Sequence, residues 1–130
     1  MGNMWRLSVS GCHELMADPE YGVSWESVTC KGTVPGNISH HKPAVFGHSV
    51  VCFGGIINSE SNTFEALEFD SKTNAWSKMK QTGDIPKPRD DHAQCQINDS
   101  SFIIFGGFVE GSRTNECYIC KKNGATLEWS

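Results

Sequence analysis

The sequence predicts an all-β protein that is built from a repeated unit of four short strands. Two observations support this prediction. An ordered set of landmark residues recurs after about fifty residues, a period typical of repeat folds. The apolar segments are short and rich in β-branched and aromatic side chains, and no segment has the pattern of a long helix. A chain of 130 residues can bury a real core, so we expect one domain of antiparallel sheets.

The landmarks of each repeat are counted from a tryptophan. The landmarks of the first unit are Trp25, Gly32, Pro35, His41 and the pair Gly54-Gly55. The landmarks of the second unit are Trp76, Gly83, Pro86, His92 and the pair Gly106-Gly107. The two sets share their order and nearly their spacing, and Trp129 follows after a similar interval. An ordered set of this kind indicates an internal repeat rather than chance.

Four strands, named a to d in chain order, are predicted in each unit. In the first unit they cover residues 41–46, 49–53, 63–69 and 75–79. In the second unit they cover residues 92–97, 101–105, 116–121 and 126–129. Strand b is a continuous apolar run that ends at the Gly-Gly pair, which indicates burial on both faces. Strand c of the first unit alternates between polar and apolar residues, as a half-exposed strand does.

The N-terminal segment is predicted to be half of an earlier unit. Residues 3–7 align with strand c and residues 24–28 with strand d, so residues 11–23 form an enlarged loop. The chain then divides into a half unit at 1–29, a complete unit at 30–80 and a second unit at 81–130. This second unit is expected to be truncated in its last strand.

The landmarks resemble the kelch repeat of β-propeller proteins, in which a tryptophan precedes Gly-x-x-Pro, a histidine and an apolar strand ending in Gly-Gly. The match is clearest in GDIPKPRDDH at 83–92 and FIIFGGF at 102–108. This form is similar to the kelch repeats of Rab-effector-like and host-cell-factor-like proteins. The resemblance implies a partial kelch-type β-propeller of about two and a half four-stranded antiparallel blades.

The repeat is not perfect, and the ring that it implies is not closed. Asn37 and Ile38 stand in the first unit where Pro88 and Arg89 stand in the second. A closed propeller needs about four blades or more. We therefore expect either a fragment or a module that further blades or other chains complete.

The landmark residues are predicted to be packing elements. The Gly-Gly pairs lack side chains, so a large ring such as that of Trp76 or Trp129 is expected to lie on their backbone. His41 and His92 are expected to be structural histidines held by hydrogen bonds. A phosphate-binding role for the glycines would need a following helix N-terminus, and none is predicted.

No catalytic, metal-binding or cofactor-binding residue is predicted. Cys117 and Cys120 have the spacing of zinc ligands, but residues three apart on a strand point to opposite faces. No carboxylate is paired with a nucleophile or base at a fixed spacing. We therefore predict that the protein is not an enzyme and uses no cofactor.

Composition narrows the choice of partner and compartment. The net charge of −4 argues against a nucleic-acid partner. No apolar run approaches the ~20 residues of a membrane helix, so no membrane insertion is expected. The N-terminus has no apolar signal segment, which predicts a cytoplasmic protein with free thiols at its six cysteines.

The predicted function is that of a non-catalytic protein–protein interaction module, a scaffold or adaptor. The alternatives are a fragment of a propeller enzyme and a propeller that binds a small ligand or a glycan. Because antiparallel strands alternate in direction, the b–c loops and the d–a segments share one end of each blade, where recognition usually occurs. The candidate partner-binding residues at this end are Asn58, Glu60, Asp84, Lys87, Arg89, Asp90, Glu110 and Arg113.

Self-association is also expected, because an open array of blades leaves sheet faces uncovered. Val50, Val51, Ile103 and Ile104 are predicted to lie near such faces and to drive association of the isolated chain.

Overall fold

A computed structural model describes residues 4–10, 22–58, 61–62 and 64–130, with the backbone alone for 9–10, 22–23 and 61–62. Every regular element in these ranges is a β-strand, which confirms the all-β prediction. The strands are, in chain order, β1 (Trp5–Ser10), β2 (Gly22–Ser27), β3 (Lys31–Gly32), β4 (Ile38–Ser39), β5 (Lys42–Phe46), β6 (Ser49–Phe53), β7 (Ile56–Ile57), β8 (Ser61–Asn62), β9 (Leu67–Asp70), β10 (Ala75–Lys78), β11 (Lys80–Gly83), β12 (Ala93–Asn98), β13 (Ser101–Phe105), β14 (Phe108–Val109), β15 (Ser112–Arg113), β16 (Cys117–Asn123) and β17 (Thr126–Trp129).

Two similar sheets form the body of the structure. The first blade has the strand order β3-β10-β9-β6-β5, and the second blade has the order β11-β17-β16-β13-β12. In each blade the four predicted strands a to d are antiparallel neighbours, as expected. Both b strands and strand d of the second blade have the predicted bounds. That last strand has four residues, the same length as its counterpart β10.

Strand c of the first blade begins later than predicted, at Leu67. Phe64 and Ala66 precede the strand and are buried in the core between the blades, and the Ala66 carbonyl accepts a hydrogen bond from the Met79 N–H at 2.9 Å. The predicted first residue, 63, lies outside the described residues.

Each blade also has a fifth strand at its edge that the sequence pattern did not predict. β3 pairs in parallel with β10, and β11 pairs in parallel with β17. This pairing places Gly32 opposite Trp76 and Gly83 opposite Trp129. Both glycines have a positive φ, and a Cβ at either position would collide with the carbonyl oxygen of the opposing tryptophan. The Gly and Trp landmarks are therefore direct backbone partners.

The N-terminal half blade consists of β1 and β2, which pair from Trp5–Ser27 to Ser10–Gly22. Strands c and d were predicted there at 3–7 and 24–28, so the observed hairpin is shifted by about two residues toward its turn. Most of the predicted enlarged loop, residues 11–21, lies outside the described residues. The described sheets thus support the expected half blade and two blades.

Aromatic rings fill the core between the two blades, which we call the inter-blade core. The rings of Phe53 and Phe102 stack at 4.7 Å with an angle of 8°. The Trp129 indole packs edge-on against both, at 5.8 and 5.6 Å. Val51 and Ile104, which were expected near uncovered faces, are fully buried in this core, so that expectation is wrong for them.

The Gly-Gly pairs have neighbours other than those predicted. Cβ atoms at Gly54 and Gly107 would meet the His92 side chain and the backbone of the segment before it, while one at Gly55 would meet the backbone of Ser39 and His41. The nearest atoms belong to no tryptophan ring, so that prediction is wrong. The pairs allow the d–a segment to lie close to the end of strand b.

His92 is a packing residue, but not a hydrogen-bonded one. Its ring is 1 % exposed and stacks on Phe53 at 5.6 Å, while both ring nitrogens lack a hydrogen-bond partner. The predicted hydrogen bond is therefore wrong. Burial, followed by the nearby charges of Arg89 and Lys42, lowers the pKa of His92 to about 4, so the ring is neutral at physiological pH.

Candidate partner-binding end of the blades

The b–c loops and d–a segments meet at one end of the blades, as predicted. In the second blade, β14 and β15 form a small hairpin, and Asp90 bridges to Phe108 at its start. In the first blade, β4 of the d–a segment pairs with β7 of the b–c loop. The a–b and c–d turns meet at the opposite end, where Ser71 donates hydrogen bonds to the carbonyl of His48. We call the end at which the b–c loops and d–a segments meet the loop end.

The hairpin of the second blade has the turn chemistry that its shape requires. Glu110 and Gly111 both have a positive φ, of 47° and 86°. Two successive positive φ values are typical of the tight turns that join antiparallel strands. This geometry projects Glu110 and Arg113 into solvent on a short hairpin that the sheet supports.

Five of the eight candidate residues are exposed at the loop end: Asn58, Asp84, Lys87, Glu110 and Arg113. Lys87 Nζ lies 3.0 Å from Glu110 Oε2 and so links the d–a segment to the hairpin. The Arg113 guanidinium lies 5.7 Å from the centre of the Phe108 ring. Arg113 and Phe108 thus form an exposed pair of residue types that are enriched at protein interfaces, with Glu110 of the Lys87–Glu110 ion pair on the same hairpin.

Asn58 also has a structural role in its own loop. Its side-chain oxygen accepts a hydrogen bond from the Asn37 N–H at 3.0 Å, and its own N–H donates to the Asn37 carbonyl at 2.8 Å. Asn58 adopts a φ of 53°, which asparagine tolerates better than most residues. The neighbouring candidate Glu60 lies outside the described residues.

Arg89 is buried, in contrast to the exposed position that the sequence suggested. Its side chain is 0 % exposed and donates hydrogen bonds to the carbonyls of Lys87 and Gly106, at 3.2 and 3.0 Å. A third bond, of 2.9 Å, reaches the Glu116 carboxylate, and this hydrogen bond lowers the pKa of Glu116. The guanidinium lies 5.1 Å from the centre of the Tyr118 ring. Arg89 thus ties the d–a segment to strands b and c.

The burial of Arg89 and Asp90 corrects one expectation. Both were predicted to be partner-binding residues, but the Arg89 guanidinium is buried with three acceptors and cannot be exchanged without loss of stability. Asp90 is also buried and bonds through its backbone to Phe108. Sequence reasoning missed Phe108, Glu116 and Tyr118, of which only Phe108 had a signal, because it follows the Gly-Gly pair.

A second feature is an apolar cavity of about 300 Å³ between the half blade and the first blade. Its lining includes Met4, Cys30, Ile38, His41, Cys52 and Trp76, and no Asp, Glu, Lys or Arg. Burial raises the pKa of Cys52 to about 11, so this thiol is protonated and behaves as a small apolar group. The cavity is therefore suited to an apolar group rather than to an ion.

The described residues contain no cluster of metal ligands. None of their His, Cys, Asp and Glu side chains form a group of three that could hold a metal ion. Cys117 is exposed and Cys120 is buried, which agrees with the prediction that they point to opposite faces. Nor does this part of the chain include a helix with the length and hydrophobicity needed to span a bilayer.

Two blades, each of four antiparallel strands with a short parallel strand at the edge, and a half blade, with polar side chains on loops at one end, define a segment of a β-propeller. A family model described as the KLHDC2/KLHL20/DRC7 Kelch-repeats domain matches residues 12–130. The chain therefore belongs to the kelch-repeat family. Kelch domains generally mediate protein–protein interactions.

Relatives of the chain are diverse. Acyl-CoA-binding domain-containing protein 4 of Arabidopsis thaliana is 32% identical over 110 residues, which are 83% of this chain and 16% of the relative. N-(sulfonatooxy)prop-2-enimidothioate sulfolyase of Thlaspi arvense is 34% identical over 89 residues, which are 64% of this chain and 24% of the relative. Kelch domain-containing protein 3 of Bos taurus is 27% identical over 90 residues, which are 69% of this chain and 23% of the relative. The chain thus spans about a quarter or less of the length of these relatives.

Proposed function

We propose that this chain is a non-catalytic adaptor or scaffold that holds a protein partner at the loop end. The observation that carries the proposal is the exposed group of Lys87, Glu110, Arg113 and Phe108, which a rigid sheet supports. Loops on a rigid scaffold bind partners at a low cost in conformational entropy. Lys87 and Glu110 form an ion pair, and Arg113 lies over the Phe108 ring, so these side chains present a polar surface with an aromatic centre.

The partner that we propose is a protein, and the compartment is the cytoplasm. The net charge of −4 does not suit a polyanion such as a nucleic acid. Cys30, Cys52, Cys95, Cys117 and Cys120 all have free thiols, which are typical of a reducing compartment.

The test compares two variants that preserve net charge. The loop-end variant combines Asp84→Lys, Lys87→Glu, Glu110→Lys and Arg113→Glu. The control variant combines Lys72→Glu and Asp99→Lys at the opposite end. The immobilised wild type and both variants are incubated with cytoplasmic extract, and the captured proteins are quantified by mass spectrometry. We expect a set of proteins that the wild type and the control capture equally and that the loop-end variant loses. Equal capture by the loop-end variant would contradict the proposal.

A small-ligand function is the second candidate, and the apolar cavity beside His41 favours it. Binding of an apolar ligand there would protect the Cys30 thiol, which lines the cavity, from alkylation. Screening apolar compounds for slower alkylation of Cys30, with the exposed Cys95 as the reference thiol, tests this candidate. Uniform alkylation rates in the presence of every compound would count against it.

A further inference from the structure

The c–d turn of the second blade contains an exposed Asn-Gly sequence. Asn123 of β16 pairs with Thr126 of β17, so Gly124 and Ala125 alone join the two strands. Gly124 has a φ of 57°, which lets the chain reverse within two residues. Asn123 and both turn residues are exposed, and a Cβ built on Gly124 would meet no atom within 4 Å beyond its chain neighbours. Solvent therefore reaches the Asn123 side chain and the backbone that follows it.

The Asn123 amide has the neighbours that an intramolecular attack needs. Its carbon Cγ is an electrophile, and the Gly124 nitrogen, the next along the main chain, is a nucleophile. In the described part of the chain the Gly124 N–H has no acceptor, because the sheet pairing ends at Asn123. Gly124 also has no side chain to obstruct the approach. Asn123 Nδ2 donates a long hydrogen bond of 3.4 Å to Glu128 Oε2, which restrains the amide weakly.

Two other asparagines show what this arrangement lacks elsewhere. Asn98 is followed by an aspartate, and its side-chain oxygen accepts hydrogen bonds from the N–H and hydroxyl of Ser100, at 2.9 and 3.1 Å. Asn74 is followed by an alanine, and its side-chain oxygen accepts a hydrogen bond from Arg6 at 3.0 Å. A following side chain and a restrained amide both hinder the attack, so these two residues are internal references for Asn123.

We propose that Asn123 is a site of spontaneous deamidation in the folded chain. The Gly124 nitrogen bonds to Asn123 Cγ and gives up its proton, while the Cγ–Nδ2 bond breaks and ammonia leaves with that proton. Water then opens the five-membered imide that results. Attack of water at Cγ restores the main chain and gives aspartate. Attack at the main-chain carbonyl breaks the original peptide bond and gives isoaspartate, in which the chain continues through Cγ.

The modified turn lies next to an ion pair that joins the two blades. Lys122 Nζ of the second blade lies 3.0 Å from Glu68 Oε1 of the first blade, and the two side chains are only 14 % and 16 % exposed. The same ammonium donates a hydrogen bond to the Gly124 carbonyl at 2.6 Å. Isoaspartate lengthens the main chain by a methylene group beside that carbonyl, and either product places a carboxylate next to Glu128. Modification therefore disturbs Lys122 and weakens the contact between the blades.

The first experiment locates the modification and tests whether the folded turn permits it. The chain is incubated at mildly alkaline pH, in native buffer and in urea, and peptide mass spectrometry follows the conversion of amide to acid at each asparagine. In native buffer we expect Asn123 to be converted while Asn74 and Asn98 remain amides. Gly124→Asp, which adds a side chain but tolerates a positive φ, should lose this conversion. Conversion of Asn123 in urea alone, equal conversion of all three asparagines in native buffer, or undiminished conversion in Gly124→Asp would overturn the proposal.

The second experiment measures the effect on the contact between the blades. Ion exchange separates the isoaspartate form from the unmodified chain, and urea unfolding gives the midpoint of each, which we expect to be lower for the isoaspartate form. In Glu68→Gln, which removes the ion pair with Lys122, the difference between the two midpoints should be smaller. Lys78→Gln, at the exposed ion pair with Glu65, is the matched control and should retain the full difference. Equal differences in both variants would overturn the link between the turn and Lys122.

Discussion

The inter-blade core and the interface between the half blade and the first blade use equivalent positions of the repeat, but they differ in completeness. The inter-blade core is closely packed, with Phe46, Phe53, Phe64, Phe102 and Trp129 in mutual ring contact. The half-blade interface buries Trp76 against Phe69 and contains the cavity of about 300 Å³. The same repeat thus gives one dense interface and one loose interface.

The number of facing strands explains the difference. Strands a and b of the first blade supply Phe46 and Phe53 to the inter-blade core, whereas the described residues of the half blade form strands c and d alone. His92 stacks on Phe53, but its counterpart His41 lines the cavity. A sheet face is therefore sealed only where rings from strands a and b of the preceding blade reach it.

Hydrogen bonds reinforce the contact between the two blades. The side-chain amides of Gln94 and Gln96 donate to the carbonyls of Pro43 and Val45 across the inter-blade core, both at 2.6 Å. The Trp129 indole N–H donates to Gln81 Oε1 at 2.9 Å, so it is satisfied although buried. The second blade is therefore fixed in its position by hydrogen bonds as well as by rings.

The largest expected effect is the loss of a tryptophan ring, and it depends on the interface. Trp129→Ala should lower the free energy of unfolding by about 5 kcal/mol, because it leaves a cavity among close-packed rings and removes the donor to Gln81 Oε1. Trp76→Ala should cost about 3 kcal/mol, because it only enlarges an existing cavity. Trp25→Ala should cost less than about 0.5 kcal/mol. Urea unfolding at low protein concentration measures all three.

The order of these three values tests whether the two interfaces differ in packing. Equal costs for Trp129→Ala and Trp76→Ala would show that the two interfaces are equally well packed. A cost for Trp25→Ala as large as that for Trp76→Ala would show that the exposed position of Trp25 is wrong.

The second-largest expected effect is a difference in stability between substitutions in the d–a segments of the two blades. Arg89→Ala should destabilise the protein by about 3 kcal/mol, because it leaves the carbonyls of Lys87 and Gly106 without their donor. Ile38 holds the equivalent position in the first blade and is only partly buried, so Ile38→Ala should cost about 1 kcal/mol. The exposed Arg113→Ala is the charge control and should change stability by less than about 0.5 kcal/mol. Thermal unfolding of all three variants measures these differences. Equal melting temperatures for Arg89→Ala and Arg113→Ala would contradict this account.

Much of the fold follows from local patterns in the sequence, whereas long-range partners do not. Strand b of each blade was predictable to the residue, since its apolar run ends at a Gly-Gly pair that stops the strand. β3 and β11 were not, because a two- or four-residue parallel pairing to a distant strand has no local periodicity. Arg89 looked like a surface charge because arginine is seldom buried without partners. Its acceptors come from residues 87, 106 and 116, and only the folded chain brings them together.

The buried histidine gives the inter-blade core a pH dependence. The pKa of His92 is lowered from 6.5 to about 4, so the unfolded chain binds its proton more readily than the folded chain. Stability is therefore complete above pH 6.5 and falls as the pH decreases toward 4, by up to about 1.4 kcal/mol per pH unit. Urea unfolding of wild type and His92→Phe at several pH values should show a smaller slope for the variant. The control Ile85→Ala, at an exposed position without a titratable group, should retain the slope, and equal slopes for wild type and His92→Phe would contradict the burial of a neutral ring.

The smallest expected effect is at the loop end, where the two ionic contacts of the second blade differ in burial. Lys87 and Glu110 are 62 % and 73 % exposed, so their ion pair is well solvated, whereas Arg89 forms its pair from a fully buried position. Solvated pairs of this kind contribute about 0–1 kcal/mol. Lys87→Glu should therefore change the free energy of unfolding by less than about 0.5 kcal/mol, and the double variant Lys87→Glu, Glu110→Lys should restore any loss. A loss above about 1 kcal/mol in the single variant that the double variant restores would show that the pair holds the hairpin in place. In that case the loop end would be a fixed part of the blade rather than a surface whose charges are free to meet a partner.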